Sequence, residues 1–271
     1  MYQNLYDCHI HSECSHDAKS PVMEICAQAE KLGFRGLAIT DHAECNGIEG
    51  QDYIANINRS VADTRAAREA FAGRLDVLVG LEIAQLLQGP ELADTIADGH
   101  DYDFIIGSLH GIGRRVEDFR YWCDVDANDL DSKVEDYYRQ IMALIKWGKF
   151  DVLGHLTYPI RYVQGRLGVS LDFSRYSDLL DMVMRALIET GHGIEINTSG
   201  YRQGLGFPMP HLPWLKRYRE LGGEIVTIGS DAHYTEHVGA NVADSMDLMK
   251  EAGFRHVAIF RERKPQFLTL E

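Results

Sequence analysis

The sequence predicts a parallel α/β barrel, a sheet of strands closed on itself and wrapped in helices. Three observations carry that expectation. Short apolar runs alternate with longer stretches whose apolar residues recur every three or four positions. Some runs are apolar almost without a break, as in Asp76-Val-Leu-Val-Gly-Leu-Glu-Ile83, the mark of strands covered on both faces. Seven or eight strand-and-helix units fit into 271 residues, which suits a closed barrel better than an open doubly wound sheet.

The first strand is expected at 5–9. The helix after it covers 21–32, where Ser20-Pro21 reads as an N-cap followed by proline in the first turn. A strand at 36–40 and a helix over 53–72 come next, then strands at 76–82 and 103–107. The helix over 130–147 sets Val134, Tyr138, Ile141, Leu144 and Ile145 on one face. Strands at 150–154, 193–197 and 224–229 alternate with helices over 176–190, 211–221 and 237–251, and 257–260 is a further candidate strand. Gly33, Gly191 and Gly222 fall where helices should stop. The stretches 88–103 and 201–213 read as long loops beside a site. With no repeat, low-complexity tract or Pro/Ser-rich linker, residues 1–271 are expected to form one domain.

Composition narrows the function. Asp and Glu number 41 against 27 Lys and Arg, a formal charge of -14, which repels phosphate backbones and argues against nucleic acid as a partner. No apolar run reaches the roughly 18 residues of a membrane span, and the start of the chain lacks a basic and then apolar leader. Cys8, Cys14, Cys26, Cys45 and Cys123 are scattered and odd in number, so reduced thiols and a cytoplasmic location are expected.

The chemistry lies at the strand ends. Strand one ends in Asp7-Cys-His9-Ile-His11 and strand two in Thr40-Asp41-His42. The next strands end in Glu82, run into Ser108-Leu-His110 and close on Gly154-His155. The last two end in Glu195-Ile-Asn197 and in Gly229-Ser-Asp231-Ala-His233. In a barrel these ends share one rim, so ligands distant in sequence become neighbours. Imidazoles with a few carboxylates suit Zn, Mn or Fe, and the missing cysteine cluster argues against a structural zinc site. His9-x-His11 puts both imidazoles on one side of an extended strand end, and Asp231-x-His233 is expected to repeat that geometry. Several ions, with Glu82 between them, form a hydrolytic site. A histidine alone at a rim is usually structural; the shared strand-end context is what turns His9, His11, His42, His110, His155 and His233 into ligands.

Other motifs recede. Gly111-x-Gly113 lacks a dinucleotide pattern. Ser108 and Ser230 have no Ser-His-Asp ordering that would make either a nucleophile. Tyr137, Tyr138 and Trp147 fit a packed helix.

At these residues the sequence resembles the PHP (polymerase and histidinol phosphatase) superfamily. The matching segments are 9–17, 39–42, 80–82, 107–110, 154–155, 195–197 and 229–233, in the family's order. The resemblance implies a distorted (β/α)7 TIM-like barrel, the PHP fold, with three divalent metal ions. Carried over by motif, one ion takes His9, His11, Glu82 and Asp231. A second takes Glu82, His110 and His155, and a third takes Asp17, His42 and His233, with His16 as the alternative to Asp17. The family's phosphatases act on histidinol phosphate, so the expected reaction is hydrolysis of L-histidinol phosphate to L-histidinol and phosphate in histidine biosynthesis. Three such ions outweigh the charge of Asp17, Glu82 and Asp231, so the rim attracts phosphate within an anionic protein.

Arg161 and Arg202 follow rim strands and suit phosphate oxygens; a solvated surface position is the plain alternative. Glu44 and Glu195 are candidates for the cationic end of an amino-alcohol substrate, or for packing and loop hydrogen bonds. Asp41 either orients a ligand imidazole or moves a proton to the leaving alkoxide. Two other functions compete: a related phosphoesterase acting on another small phosphomonoester, a nucleotide or a phosphodiester, and a metal-stabilised binding module without catalysis.

Overall fold

Alternation along each strand decides which side chains point into the barrel and which meet the helices. In a computed structural model, describing residues 2–47, 50–165, 168–169 and 171–270, the elements follow the expected order. β1 (Tyr6–Ile10), α1 (Val22–Lys31), β2 (Gly36–Ile39), β3 (His42–Glu44), α2 (Tyr53–Ala70), β4 (Asp76–Ala84) and α3 (Pro90–Ala97) make the first part. β5 (Phe104–Ser108), β6 (Gly111–Ile112), β7 (Arg120–Tyr121), α4 (Leu130–Trp147), β8 (Val152–Leu153), α5 (Pro159–Val163) and α6 (Ser177–Glu189) follow. The chain continues through β9 (Gly193–Asn197), α7 (Ser199–Arg202), α8 (Leu212–Glu220), β10 (Val226–Gly229), α9 (Val242–Glu251), β11 (His256–Arg261) and β12 (Lys264–Thr269).

Seven parallel strands run in the order β1-β2-β4-β5-β8-β9-β10. The ring closes at its upper end, where His11 N donates to Ala232 O at 2.9 Å and Asp231 N to His9 O at 2.8 Å. β3 continues alongside β4 where β2 leaves off, pairing His42 with Glu82. In the β1–β2 ladder the register shifts between Asp7 and Ile10, an irregularity that re-aims the strand where it carries His9.

In β4, Val77, Val79, Leu81 and Ile83 belong to the large core beneath the helices, while Leu78 belongs to a second cluster inside the barrel. That inner cluster holds Tyr6, Cys8, Ala38, Leu78, Phe104, Ile106 and Val152, and Ile259 and Phe260 plug it from below. Burying such side chains stabilises the fold by about 1.5–3 kcal/mol each. Toward the strand ends the inward positions turn polar: Leu78 gives way to Gly80 and Glu82, and Ile106 to Ser108. One end of the barrel is therefore sealed with hydrocarbon and the other lined with ionisable groups.

Several sequence expectations need correction. The stretch 88–103 is not an open loop: Pro90 starts α3, which buries Ala93, Ile96 and Ala97. The stretch 201–213 is broken by the end of α7, and α8 begins at Leu212. Pro21 is itself the N-cap of α1, with extended ψ of 145°, and Ser20 instead accepts from Thr235 N at 2.8 Å. The candidate strand at 257–260 is present as β11, but it pairs antiparallel with β12 outside the barrel sheet. The stops at Gly33, Gly191 and Gly222 hold, with φ of 78°, 80° and 98°.

Gly229 marks a close approach. A Cβ there would meet His9 Cβ and Glu195 Oε1, so no side chain fits between β10 and β1. Gly229→Ala is expected to cost about 1–3 kcal/mol by overpacking. A thermal melt should fall by roughly 2–10 °C, with weakened metal uptake because His9 is pushed from its place.

Candidate metal centre

Eight side chains named from the strand ends, and Asp17 named from the resemblance, converge at the open end of the barrel. Glu82, 1% exposed, stands at the middle. Its Oε1 lies 3.2 Å from His110 Nε2 and 3.0 Å from His155 Nε2. Its Oε2 lies 3.4 Å from His9 Nε2, 3.5 Å from His11 Nε2 and 2.8 Å from His42 Nδ1. Asp231 Oδ1 is 3.5 Å from His11 Nε2. Beyond His42, Asp17 sets its two oxygens 3.6 Å from His42 Nε2 and 3.1 Å from His233 Nε2. Among the described residues, His9–His11–Asp231, His42–Glu82–His110 and His11–His42–His233 each bring their ligand atoms within 4.8 Å of one another. His16 lines the same pocket, but it is Asp17 that reaches His42 and His233.

These separations are those of atoms sharing a cation. Two ligands bound at about 2.0–2.1 Å in tetrahedral geometry stand about 3.3 Å apart. Hydrogen bonding alone leaves the cluster incomplete. Glu82 Oε2, His42 Nδ1, His155 Nδ1 and Glu44 Oε2 are buried without a hydrogen-bond partner; His42 Nδ1 is near Glu82 Oε2 but off the line a hydrogen bond requires. Buried polar atoms left this way are costly; Glu82 Oε2 and His42 Nδ1 lie among the other ligand atoms, where divalent cations would satisfy them. The donor set fits metal ions.

Three outer nitrogens are tied down. His9 Nδ1 meets Glu195 Oε1 at 2.5 Å, and His110 Nδ1 meets Glu44 Oε1 at 2.5 Å. His233 Nδ1 lies 3.0 Å from the Asp231 carbonyl. With a proton on each Nδ1, the Nε2 lone pairs face inward, the arrangement that carboxylate partners impose on metal-binding histidines. Gln85 Oε1 accepts from His110 N at 2.8 Å, and Ser108 Oγ donates to Glu82 Oε1 at 2.6 Å. Neither role was signalled by the sequence, because an amide or hydroxyl near a ligand has no spacing of its own.

Charge within the cluster is strongly coupled. Burial opposes the charge on His42, but Glu82 and Asp17 outweigh it and push the group up to about 9. Burial is likewise outweighed at His9 by Glu195 and Glu82, and at His110 by Glu44 and Glu82, so both stand well above the ordinary imidazole range. His11 is held well below it, by burial and then by His42 and His233. Glu82 stays well below the usual carboxylate range in spite of burial, because His9, His110 and His42 surround it. Without cations the site holds protons in their stead.

Backbone strain collects at the rim. His155 has φ of 27° and Asp231 φ of 55°, left-handed values that non-glycine residues adopt at a cost of about 1–3 kcal/mol. The turn at Asp231 also corrects the expected likeness to His9-x-His11. Its backbone is not extended, so His233 swings to Asp17 while Asp231 faces His9 and His11.

The remaining expected residues divide. Arg161 lines the pocket over the rings of Tyr158 and Tyr162, at 5.7 and 5.3 Å, with Nη1 3.9 Å from Asp231 Oδ2. Arg202 is not a lining residue; its guanidinium donates to the Asp231 carbonyl. Glu195 is taken up by His9 and by His155 N at 2.9 Å, leaving no face for a substrate. Glu44 lines the pocket and orients His110. Asp41 is fully buried away from the pocket among hydroxyls. Tyr121, Tyr158 and Tyr162 complete the wall; they lie outside the strand-end pattern and so were not singled out.

A family model described as the PHP domain matches residues 7–199. The chain belongs to the PHP domain family. A probable histidinol-phosphatase of Thermotoga maritima is 31% identical over 94% of this chain and 95% of its own length. One of Deinococcus radiodurans is 30% identical over 97% of this chain and 98% of its own. Among solved structures, histidinol phosphate phosphatase from Lactococcus lactis, complexed with zinc, L-histidinol and phosphate, superposes with a TM-score of 0.79. It covers 96% of this chain and 98% of its own at 24% identity, a likeness that bears on the fold. The family and the PHP barrel thus agree with the sequence expectation.

Proposed function

We propose that this PHP protein hydrolyses L-histidinol phosphate to L-histidinol and inorganic phosphate, the phosphomonoester step of histidine biosynthesis, as one domain spanning residues 1–271. The observation that carries the reading is Glu82, with each oxygen facing its own set of imidazoles. Relatives called histidinol-phosphatase that match over nearly their whole length support the substrate. His9, His11, Glu82 and Asp231 would hold one divalent ion, Glu82, His110 and His155 a second, and Asp17, His42 and His233 a third, as zinc, manganese or iron. When bound, such ions supply Lewis acidity and acidify water at the reacting phosphorus.

The chain does the rest. Arg161 offers its fork to the phosphate oxygens and neutralises charge that builds on them. Arg202 acts through the backbone, holding the strained Asp231 turn. Glu195 and Glu44 keep His9 and His110 in register, and the unpartnered Glu44 Oε2 is the acidic group available to the substrate's ammonium end. With its charge of -14 the protein acts on a small molecule rather than on nucleic acid. It works in the cytoplasm, where its free thiols stay reduced. No described helix is long and apolar enough to cross a membrane.

The test is a comparison of kcat/KM for L-histidinol phosphate, nucleoside monophosphates and phosphodiesters, with the protein saturated in manganese or zinc. Histidinol phosphate is expected to lead by at least tenfold; a diester or nucleotide in the lead overturns the assignment. Arg161→Ala is expected to lower kcat/KM for histidinol phosphate by roughly 10²–10³-fold, the usual loss of one charge-stabilising donor. Metal content by elemental analysis should be unchanged.

A further inference from the structure

Asp41 lies between β2 and β3 and is fully buried, and its carboxylate is held by serines rather than by an imidazole. Oδ1 accepts from Ser12 N at 2.7 Å and from Ser15 Oγ at 2.6 Å. Oδ2 accepts from Ser12 Oγ at 2.7 Å and from Ser60 Oγ, on α2, at 2.5 Å. All four acceptor positions of a carboxylate are filled.

Ser15 is the link. A hydroxyl has one proton, and Ser15 gives it to Asp41. Its oxygen then can only accept, and it does so from His42 N at 3.0 Å. His11 Nδ1 lies 3.2 Å from the same oxygen. With the Ser15 proton already committed, that contact is a hydrogen bond only if His11 Nδ1 carries the hydrogen. The His11 proton is thereby placed on the outer nitrogen, and the Nε2 lone pair is left facing His9 Nε2, Glu82 and Asp231 at 3.0, 3.5 and 3.5 Å. His9 and His110 obtain the same result from a carboxylate directly; His11 obtains it through a hydroxyl.

We infer that Asp41 and Ser15 are positioning residues that fix the tautomer of His11, so that its Nε2 is ready for a cation. Asp41 acts on the metal site at second hand, and neither residue touches substrate. The inference rests on the reading of His11 as a metal ligand.

The two variants at Asp41 part company. In Asp41→Asn the amide oxygen must take the Oδ1 place, because Ser12 N is an obligatory donor. The amide nitrogen then faces Ser12 Oγ and Ser60 Oγ, which can rotate to accept it. Ser15 still donates to oxygen, and His11 keeps its Nδ1 proton. Asp41→Ala removes the acceptor and frees Ser15 to turn its proton toward His11.

The experiment reads the His11 tautomer by nitrogen-15 NMR of the imidazoles in metal-free protein, and the zinc and manganese dissociation constants by chelator competition. Circular dichroism follows the fold. Wild type and Asp41→Asn should share the Nδ1–H tautomer and bind metal within about threefold of each other. Ser15→Ala, the milder change if Asp41→Ala does not fold, should give mixed tautomers and about 10–100-fold weaker metal binding. An unchanged tautomer and affinity in Ser15→Ala overturns the proposal. So does an Asp41→Asn protein that loses His11 Nδ1–H, or one that keeps it but loses turnover as a proton shuttle would. If wild type binds no metal, the metal-centre reading fails, while the tautomer measurement still decides the hydrogen-bond chain.

Discussion

Replacing Glu82 by glutamine is expected to lower turnover by about 10³-fold or more while the barrel stays folded. The side chain keeps its size, so the 1% exposed position remains filled. What changes is the donor count. One oxygen becomes an NH₂ group, which has hydrogens to offer and no lone pair for a cation, so one of the two facing sets of imidazoles loses its carboxylate. A loss of about 4 kcal/mol of charge stabilisation at the reacting group corresponds to about a thousandfold in rate. Removing the anion also removes what keeps His9, His42 and His110 above the ordinary imidazole range. The metal-free variant should therefore titrate its imidazoles at lower pH than metal-free wild type. Turnover, bound metal by elemental analysis and a thermal melt together check this. Full metal content with turnover within tenfold of wild type would remove Glu82 from its central place.

The barrel and eight of the nine side chains gathered at its rim were legible in the sequence for one physical reason, while Asp17 came from the family resemblance. A parallel barrel needs apolar strands, and its rim can carry reactive side chains only at the strand ends, so position along each run separated His9, His42, His155 and Asp231 from other polar residues. Geometry that depends on backbone detail was not legible. Asp231-x-His233 has the spacing of His9-x-His11, but a φ of 55° at Asp231 sends His233 to Asp17. Arg202 follows a rim strand just as Arg161 follows another, yet one holds a carbonyl and the other lines the pocket. α3 went unseen because it has eight residues, too few for the helical period to stand out between Gly89 and the turn that follows. Ser15 and Ser108 escaped because a single hydroxyl has no signature until its partners are in place.

Stripping the protein with a chelator is expected to abolish turnover, lower the melting temperature and make metal rebinding steeply dependent on pH. Each bound ion stabilises the native state by about 4 kcal/mol when present at a thousand times its dissociation constant. The pH dependence has a definite sign. His42, pushed up to about 9, is protonated at neutral pH in the stripped protein, and His9 and His110 are also raised. A cation can use these imidazoles only after their protons leave. Affinity should therefore rise with pH up to about 9 and fall steadily toward pH 6, and titrating metal into weakly buffered stripped protein should release protons. Glu82 and Asp231, held well below the usual carboxylate range, stay ionised across that window and contribute no slope. In the stripped protein the raised imidazoles stabilise the fold fully below the unfolded value of about 6.5, and for His42 that support is lost as pH passes about 9. The two forms thus respond oppositely: raising pH from 6 to 9 should increase the metal-dependent gain in melting temperature while lowering the imidazole contribution to the stripped protein. Parallel melts with and without metal across that range measure both slopes. A metal affinity that does not change with pH would mean that the histidines around Glu82 never held the protons which the cations displace.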